Sequence, residues 1–573
     1  MRTKIINETI SVDESGNASC IQEIIYKNHN DKPLGFSGII KIGFHEDCND
    51  FQFIEDIDLI AANIVQIREQ PYRKELHFHI PKKIPPKGSI TLKLQYVWRN
   101  FRDESGFRRI ATKFDSLTDY NLSIVVRDDT FTDHLISVTD GDTPLERDKN
   151  YFVTAEGHLR IIRQHLSSNT NQNIRIIANI KKIPLPVVND IAKKYKGCFS
   201  RDYCILVILH VLRDFLAFRD GLLAMGINKK DLFIVGIPYS SKEEVIEYLR
   251  YSSFRVYSVE RDHYIDQFNE LVERAIKEAL EHCKQTNKKL LIIEDGGYAV
   301  PLIHEKFIDL VELCIGAVEQ TANGIWIDRE LQRSGTLLFP VMNVAEARIK
   351  KEKESPLVGQ AIIQNINRLL EGYGYGITSM KVGQIGFGNI GKPLGLQMKN
   401  DGVDLTIYDI DEKKCEDARR NEIHVVKNMT ELLEGKNLIV GCSGRELIGL
   451  QELRAADRNI FFVNATSKLK EIKYNEFIMI ADKIKVRRGI GTEYKLKGGR
   501  RIIIRLLANG FPVNFFEGSE SIPDKQIQFI PALLLASAGY LVTKQINERK
   551  IIDIPEEIQN NIVKLMNLHE ESQ

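Results

Sequence analysis

Lys381-Val382-Gly383-Gln384-Ile385-Gly386-Phe387-Gly388-Asn389-Ile390-Gly391 decides the fold of the C-terminal half of this chain. The first five residues read as a short buried strand, and the glycines that follow are spaced G-x-G-x-x-G. A helix is expected through 394–399. Glycine permits the tight turn and lets the backbone approach a pyrophosphate, whose charge then faces a helix N-terminus. Leu405-Thr406-Ile407-Tyr408 reads as a second strand, ended by Asp409 about 23 residues after Gly386. A carboxylate there accepts hydrogen bonds from ribose hydroxyls and repels a 2′-phosphate, so the expected cofactor is NAD rather than NADP. Two later strands, 437–440 and 460–463, run into Gly441-Cys442-Ser443-Gly444 and Asn464, and both ends should face the cofactor. Residues 361–519 are thus expected to form a Rossmann NAD-binding domain.

Upstream, strand and helix signals alternate. An apolar stretch covers 205–224, short strands are expected at 232–235 and 254–258, and a helix at 243–250. Over 264–283 the apolar residues Ile265, Phe268, Leu271, Val272, Ala275, Ile276 and Ala279 form the stripe of an amphipathic helix. A buried strand at 290–293 then ends in Glu294-Asp295-Gly296-Gly297. Such alternation points to a second doubly wound α/β domain. Ligands bind beyond the carboxyl ends of its strands, where Asp295 sits. This domain spans 183–360 and is completed by about 520–550, because 526–542 is apolar at helical spacing; the Rossmann domain is inserted in it. Residues 551–573 read as a polar tail.

From 1 to 182 the signal is β. After the turn Pro85-Pro86-Lys87-Gly88, Ile90, Leu92, Leu94, Tyr96 and Trp98 alternate with mostly polar residues, the period of a half-buried strand. Several such runs separated by Asp-, Asn- and Gly-rich loops suggest a β-sandwich-like domain. His77 and His79, two apart on one strand face, read as ordinary strand residues before they read as a metal site.

A net charge of +1 gives no field with which to hold nucleic acid or an anionic membrane. No apolar run reaches the ~18–20 residues of a membrane span, and the start of the chain has no secretory apolar segment. The eight cysteines are scattered without a CxxC pair. They read as reduced thiols of a cytoplasmic protein, with no ligand set for a metal.

Five segments together resemble S-adenosylhomocysteine hydrolase over about 202–541. The family's G-Y-G-D-V-G-K-G is matched by the run from Gly386 to Pro393. Its D-D-G-G-D-L-T-x-L-I-H is matched by the run from Glu294 to His304, and its G-x-x-E-E-T-T-T-G by the run from Gly316 to Gly324. Its segment from N-V-N to the catalytic lysine is matched by Asn343 through Lys350. Its L-L-A-x-G-x-x-V-N is matched by Leu506 through Asn514. The resemblance implies a tightly held NAD that oxidises the 3′-hydroxyl of a nucleoside, followed by loss of a thiol and addition of water. It implies catalytic roles for Lys350, Asp295, His210 and Glu354, the last standing where the family has Asp. It implies cofactor contacts for Gly386, Gly388, Asn389, Ile390, Gly391, Asp409, Ser443, Gly444, Asn464, Asn514 and Thr321, and substrate contacts for Asn343 and Gln320. It also implies a homo-oligomer.

The departures are as informative. Leu212 and Asp214 replace the Thr and Glu of L-H-M-T-x-E, and Gln320 replaces a Glu. Ser240-Ser241-Lys242-Glu243-Glu244 replaces S-T-Q-D-H. The family's two C-terminal histidines are missing: no His lies between His424 and His569, and Ser467 and Ser519 take their places. Serine does not titrate near neutral pH. Two classes of function follow. One is an NAD-dependent enzyme oxidising a secondary hydroxyl of a nucleoside or sugar-like ligand. The other is a non-catalytic NAD or nucleoside sensor whose N-terminal domain binds a protein partner. Authentic hydrolysis of S-adenosylhomocysteine stands as a third, weaker alternative.

Overall fold

The structure, a computed structural model, describes all residues except 1, 13–17, 44–47, 54–62, 71–72, 99–101, 104–105, 108–109, 114–116, 127–134, 141–142, 148, 155–158, 167–170, 179–183, 200–201, 260–263, 450–451, 453–455, 467–470, 488–489, 498–501, 516–521 and 571–573. The chain divides into two units, Met1–Lys181 and Lys182–Gln573.

The first unit is built from strands. Arg2–Val12 lies between Leu117–Val126, with which it runs parallel, and Ala18–Asn28, its antiparallel neighbour, in a seven-stranded sheet. Ser89–Trp98 belongs to the same sheet and buries Ile90, Leu92, Leu94 and Tyr96, the residues that alternate in the sequence. Inside this sheet Tyr96 and Tyr120 both donate to the carboxylate of Glu8, at 2.5 Å each. Four- and three-stranded sheets complete the unit's larger elements. His77 and His79 lie on the central strand of the three-stranded sheet, opposite Ile39 and Ser37.

The second unit holds two parallel sheets. The first runs in the order Arg255–Tyr257, Leu232–Gly236, Tyr203–Leu209, Lys289–Glu294, Cys314–Glu319, Val341–Asn343, Ile551–Asp553, all parallel. Its chain order reverses between Tyr203–Leu209 and Lys289–Glu294, which is the switch point at which doubly wound sheets open a crevice. Tyr203–Leu209 is covered on both faces, which accounts for its unbroken apolar run. The helix Tyr264–Thr286 buries the expected stripe from Phe268 to Ala279 and continues it to Leu280 and Cys283.

The second sheet runs in the order His424–Val425, Asp404–Tyr408, Lys381–Ile385, Leu438–Gly441, Ile460–Asn464, Ile503–Leu507, Gly491–Leu496, Ala481–Arg487. It is parallel as far as Ile503–Leu507 and ends in two antiparallel pairings. Its switch point lies between Lys381–Ile385 and Leu438–Gly441. The helix Ser355–Glu371 leads into this sheet, so the boundary expected at 360–361 falls inside a continuous helix. The chain then returns to the first sheet through Phe529–Thr543, which packs against Pro186–Lys194 and Asp214–Ala224. The helical segment Lys525–Thr543 is long and apolar enough to cross a membrane, yet 78% of it is buried inside the unit. An all-round apolar helix is what a core position requires.

Residues 551–573 were expected as a tail, and the structure corrects this. Ile551–Asp553 is the edge strand of the first sheet, in register with Val341–Asn343. Glu556–Glu570 then packs on the unit and buries Ile558, Ile562 and Met566. Three apolar residues spaced one helical turn apart carry this docking, a stripe too sparse to stand out in a polar segment.

Deleting residues 551–573 should therefore lower the unfolding free energy of the second unit. At ~1.5–3 kcal/mol per buried apolar side chain, the loss is on the order of 5 kcal/mol. Denaturant unfolding of the truncated chain measures it; an unchanged midpoint would mean that the segment is a tail after all.

Candidate functional site

The two switch points open into one cavity of about 540 Å³, walled by both sheets of the second unit. On its cofactor side the strand Lys381–Ile385 ends in Gly386, whose φ of +93° favours glycine. A Cβ on Gly386 would stand 2.9 Å from the Cys442 carbonyl oxygen, and one on Gly391 would stand 2.3 Å from the Gly386 carbonyl oxygen. These two glycines are needed for the turn itself. Gly388 is different, since a Cβ there would meet only the Lys414 ammonium, at 3.8 Å. The room beside Gly388 is therefore room for a ligand. The buried Gln384 amide donates to the carbonyls of Gly386 and Gly391, at 2.8 Å each, and staples the loop shut. Nothing in the glycine spacing announces this role.

Asp409 sits at the end of Asp404–Tyr408 as expected and lines the cavity. Its Oδ2 accepts from Phe387 N at 2.7 Å and its Oδ1 from Asp411 N at 2.9 Å, so it also fixes the glycine loop. Gly388, Asn389 and Ile390 line the same wall, followed by Ser443, Gly444, Asn514 and Thr321. Gly391 lies behind the wall. Asn464 is also behind it: its side chain donates to Gly510 O and accepts from Thr466 N and Oγ1, and Thr466 faces the cavity in its place. The loop, the open space at Gly388 and the acidic strand end together fit a dinucleotide.

On the opposite side the strands Tyr203–Leu209 and Lys289–Glu294 are neighbours, so His210 and Asp295 emerge side by side. His210 Nε2 lies 3.4 Å from Asp295 Oδ2, and Nδ1 lies 2.5 Å from Ser240 Oγ. The Phe515 ring covers the imidazole, with centroids 4.3 Å apart. Lys350 donates from Nζ to the Gln320 carbonyl at 2.5 Å and lies 3.5 Å from Glu354. Lys350–Glu354 forms a π-helical turn at the head of Ser355–Glu371, a distortion frequent at functional sites. Burial pushes the Glu354 carboxyl up from its ordinary value, with the Lys350 ammonium opposing. His210, Asp295, Gln320, Lys350 and Glu354 all line the cavity with Leu212 and Asp214.

Asn343 does not. It ends the strand Val341–Asn343 beside Asp553, and its amide donates to Asp553 Oδ1 at 2.9 Å and Glu346 Oε2 at 3.0 Å. Its expected substrate contact is replaced by a structural one that ties down the edge strand. Ser467 and Ser519 lie outside the described residues.

Three buried carboxylates stand behind these loops. Glu294 accepts from the backbone N–H groups of Tyr298, Ala299 and Val300. Glu319 accepts from Gly296, Gly297 and Thr321 N–H and from the Thr321 hydroxyl. Asp328 is 0% exposed, and neither oxygen has a hydrogen-bond partner among the described residues. Burial, then the charge of Glu294, pushes its carboxyl up to about 8. A separate cluster, Cys204, Asp231 and His282, brings three potential metal donors together near the other end of Tyr203–Leu209. Lys288 Nζ lies 2.6 Å from Asp231 there and meets its charge, so the cluster reads as a buried ion pair.

Residues 381–445 match the family model described as the NAD binding domain of 6-phosphogluconate dehydrogenase. The adenosylhomocysteinase of Thermoplasma acidophilum is 26% identical over 281 residues, which cover 48% of this chain and 66% of that protein, just under two thirds of its length. That of Thermoplasma volcanium is 23% identical over 334 residues, 57% of this chain and 77% of the relative. An S-inosyl-L-homocysteine hydrolase of Methanopyrus kandleri is 25% identical over 333 residues, 57% and 74% of the two chains.

Two outcomes are expected from this geometry. Gly388→Val should leave thermal stability near that of the wild type and abolish NAD binding in calorimetry, whereas Gly391→Ala should destabilise the protein itself; equal stability losses would contradict the assignment. The second concerns Asp328, whose carboxyl holds its proton in the fold up to about pH 8 and loses it near pH 4 in the unfolded chain. The native state then binds the extra proton, so stability falls as pH rises through that window, by up to about 1.4 kcal/mol per pH unit. Asp328→Asn should remove this slope and gain on the wild type up to about pH 8. Parallel pH profiles would show that Asp328 ionises freely.

Proposed function

From the premise that this chain is a divergent relative of the adenosylhomocysteinases with NAD as its cofactor, we propose that it oxidises a secondary hydroxyl of a nucleoside or sugar-like ligand. The observation that carries this reading is the convergence of Lys350, Glu354, His210 and Asp295 on the same cavity as the glycine loop. Gly386, Gly388, Asn389 and Ile390 would hold the dinucleotide, with Asp409 at its ribose and Ser443, Gly444, Thr321 and Asn514 along its length. NAD, when bound, supplies the two-electron oxidant.

The chain's own residues manage protons. Lys350 and Glu354 form a largely buried pair. Burial raises the carboxyl and the ammonium lowers it, and the pair stands where it would meet the proton of a ligand hydroxyl. The Gln320 carbonyl holds that ammonium in place. His210, braced by Asp295, Ser240 and Phe515, offers a second titratable group across the cavity. The remaining wall contains Leu212, Phe215 and Leu534, apolar surface that suits a flat base and excludes water.

Expelling a thiol and adding water needs further proton carriers, and the sequence has no histidine between His424 and His569 with which to supply them. Release of homocysteine from S-adenosylhomocysteine is therefore slow or absent in this reading. A second reading, in which the cleft senses NAD or a nucleoside without turnover, draws on the same missing histidines; a sandwich-like packing of the first unit's sheets would then present a partner surface. Both readings place a homo-oligomer in the cytoplasm.

Protein loaded with NAD and mixed with a panel of nucleosides should generate reduced nicotinamide absorbance with at least one of them. Lys350→Ala should lower that rate by ~10²–10⁴ while leaving NAD affinity unchanged. No absorbance change with any nucleoside or sugar would favour the sensor. Homocysteine release should fall more than about tenfold below that of an authentic hydrolase, a margin smaller than the ~10²–10⁴ loss expected when a general acid/base is missing. A rate inside that margin would show true hydrolase activity.

A further inference from the structure

Residues 442–445 form the turn that follows the strand Leu438–Gly441, and all four line the cofactor cleft. The turn is gripped from behind by one side chain. Ser443 N and Gly444 N both donate to Glu471 Oε1 at 2.6 Å, and Ser443 Oγ donates to Glu471 Oε2 at 2.8 Å. Glu471 N donates in turn to the Arg445 carbonyl at 3.1 Å. The Glu471 residue is 0% exposed and does not line the cleft.

The local backbone is arranged around this grip. Glu471 has φ of +74°, a left-handed conformation costly for any residue with a Cβ. Gly441 precedes the turn, and a Cβ on it would stand 2.5 Å from Glu471 Cγ, so only glycine leaves room for the carboxylate to pass. A glycine and a buried acid held in a strained conformation thus serve a single contact.

The turn also meets the other side of the cleft. Trp326, on the helix Ala322–Arg333, packs over Gly444, with a ring carbon 3.6 Å from where a Cβ would be. The Arg445 guanidinium lies 5.7 Å from the Trp326 ring centroid, within cation–π range. Trp326 belongs to the elements around the first sheet and Arg445 to those of the second, so this contact spans the cleft.

We propose that Glu471 is a positioning residue for the cofactor: it fixes the turn at Ser443, Gly444 and Arg445 against the cleft, and with it the contact of Arg445 and Trp326 across the opening. The inference rests on the cleft holding NAD and is independent of which ligand is oxidised. The acid is required for its acceptor geometry rather than its charge. Burial pushes the carboxyl up to about 7, so neutral and ionised forms both occur near neutral pH. In the neutral form the carbonyl oxygen still accepts the two N–H groups while the hydroxyl donates to Ser443 Oγ. A glutamine amide reproduces that pattern and an alanine does not.

The test measures NAD affinity by calorimetry for the full-length wild type, Glu471→Ala and Glu471→Gln. Emission of Trp326 is followed in a Trp98→Phe background, since the chain has only two tryptophans. Glu471→Ala should weaken NAD binding about tenfold or more, as expected when the turn's N–H groups lose their acceptor, and should shift the Trp326 emission to longer wavelength. Glu471→Gln should bind within about threefold of the wild type, with unchanged emission. Arg445→Ala leaves the Glu471 bonds in place and should reproduce the emission shift, which keeps the cross-cleft part testable if Glu471→Ala does not fold. A folded Glu471→Ala with wild-type affinity and emission would overturn the proposal. A glutamine variant as weak as the alanine would overturn it too, because charge and not acceptor geometry would then be at work. A wild type that binds no NAD would instead overturn the cofactor reading on which this one rests.

Discussion

Two buried carboxylates, Glu294 and Glu319, set the shape of everything at the mouth of the first sheet. Each ends a parallel strand, each is 0% exposed, and the carboxyl oxygens of each accept from backbone N–H groups of the loop that follows or adjoins it. Asp295 lies directly after the first and Gln320 directly after the second. The Gln320 carbonyl therefore arrives at a fixed point, and that carbonyl holds the Lys350 ammonium. A buried polar group is costly unless hydrogen-bonded, and here the bonds that satisfy these carboxyls are the ones that freeze the loops. Gly324 completes the arrangement: a Cβ on it would fall 2.1 Å from the Glu319 carboxyl carbon. The second sheet repeats the device with Asp409 and Glu471, each holding by backbone N–H a turn that faces the cleft.

Much of this was legible in the sequence. The glycine loop, the acid at the end of the next strand and the alternation of 203–343 are local patterns governed by turn sterics and strand burial, and the structure follows them closely. The side-by-side placement of His210 and Asp295 follows only once the two strands are neighbours, which the structure supplies. What could not be read is register across the sheet and beyond it. Asn343 carries the right residue type for a substrate contact, but its neighbour is a strand more than 200 positions later, and Asp553 takes its amide. The edge strand Ile551–Asp553 is three residues long, below what periodicity can detect. Gln384 and Glu471 act on backbone atoms, and no spacing rule marks a side chain whose partner is a peptide group.

The balance of what is kept and what is changed defines the molecule. The cofactor turn, the acidic strand end and the lysine beside the cavity are present, and in the proposed reading these are the parts that oxidation of a hydroxyl would use. In the same reading Leu212 in the cavity wall, Gln320 at the strand end and the lack of histidine between His424 and His569 would alter ligand recognition and proton transfer to a leaving group. Behind the cavity Asp328, a carboxyl without a hydrogen-bond partner among the described residues, sits near Glu294 and Glu319.

In the proposed reading one cleft presents NAD to Lys350, His210 and Asp295. A crystal structure of the protein with NAD bound tests it most directly. The pyrophosphate should lie over Gly388, the adenosine ribose at Asp409 and the nicotinamide ring on the Lys350 side of the cavity, near Thr321 and Asn514. A nicotinamide directed away from Lys350, or a dinucleotide bound outside the cleft between the two parallel sheets, would contradict it.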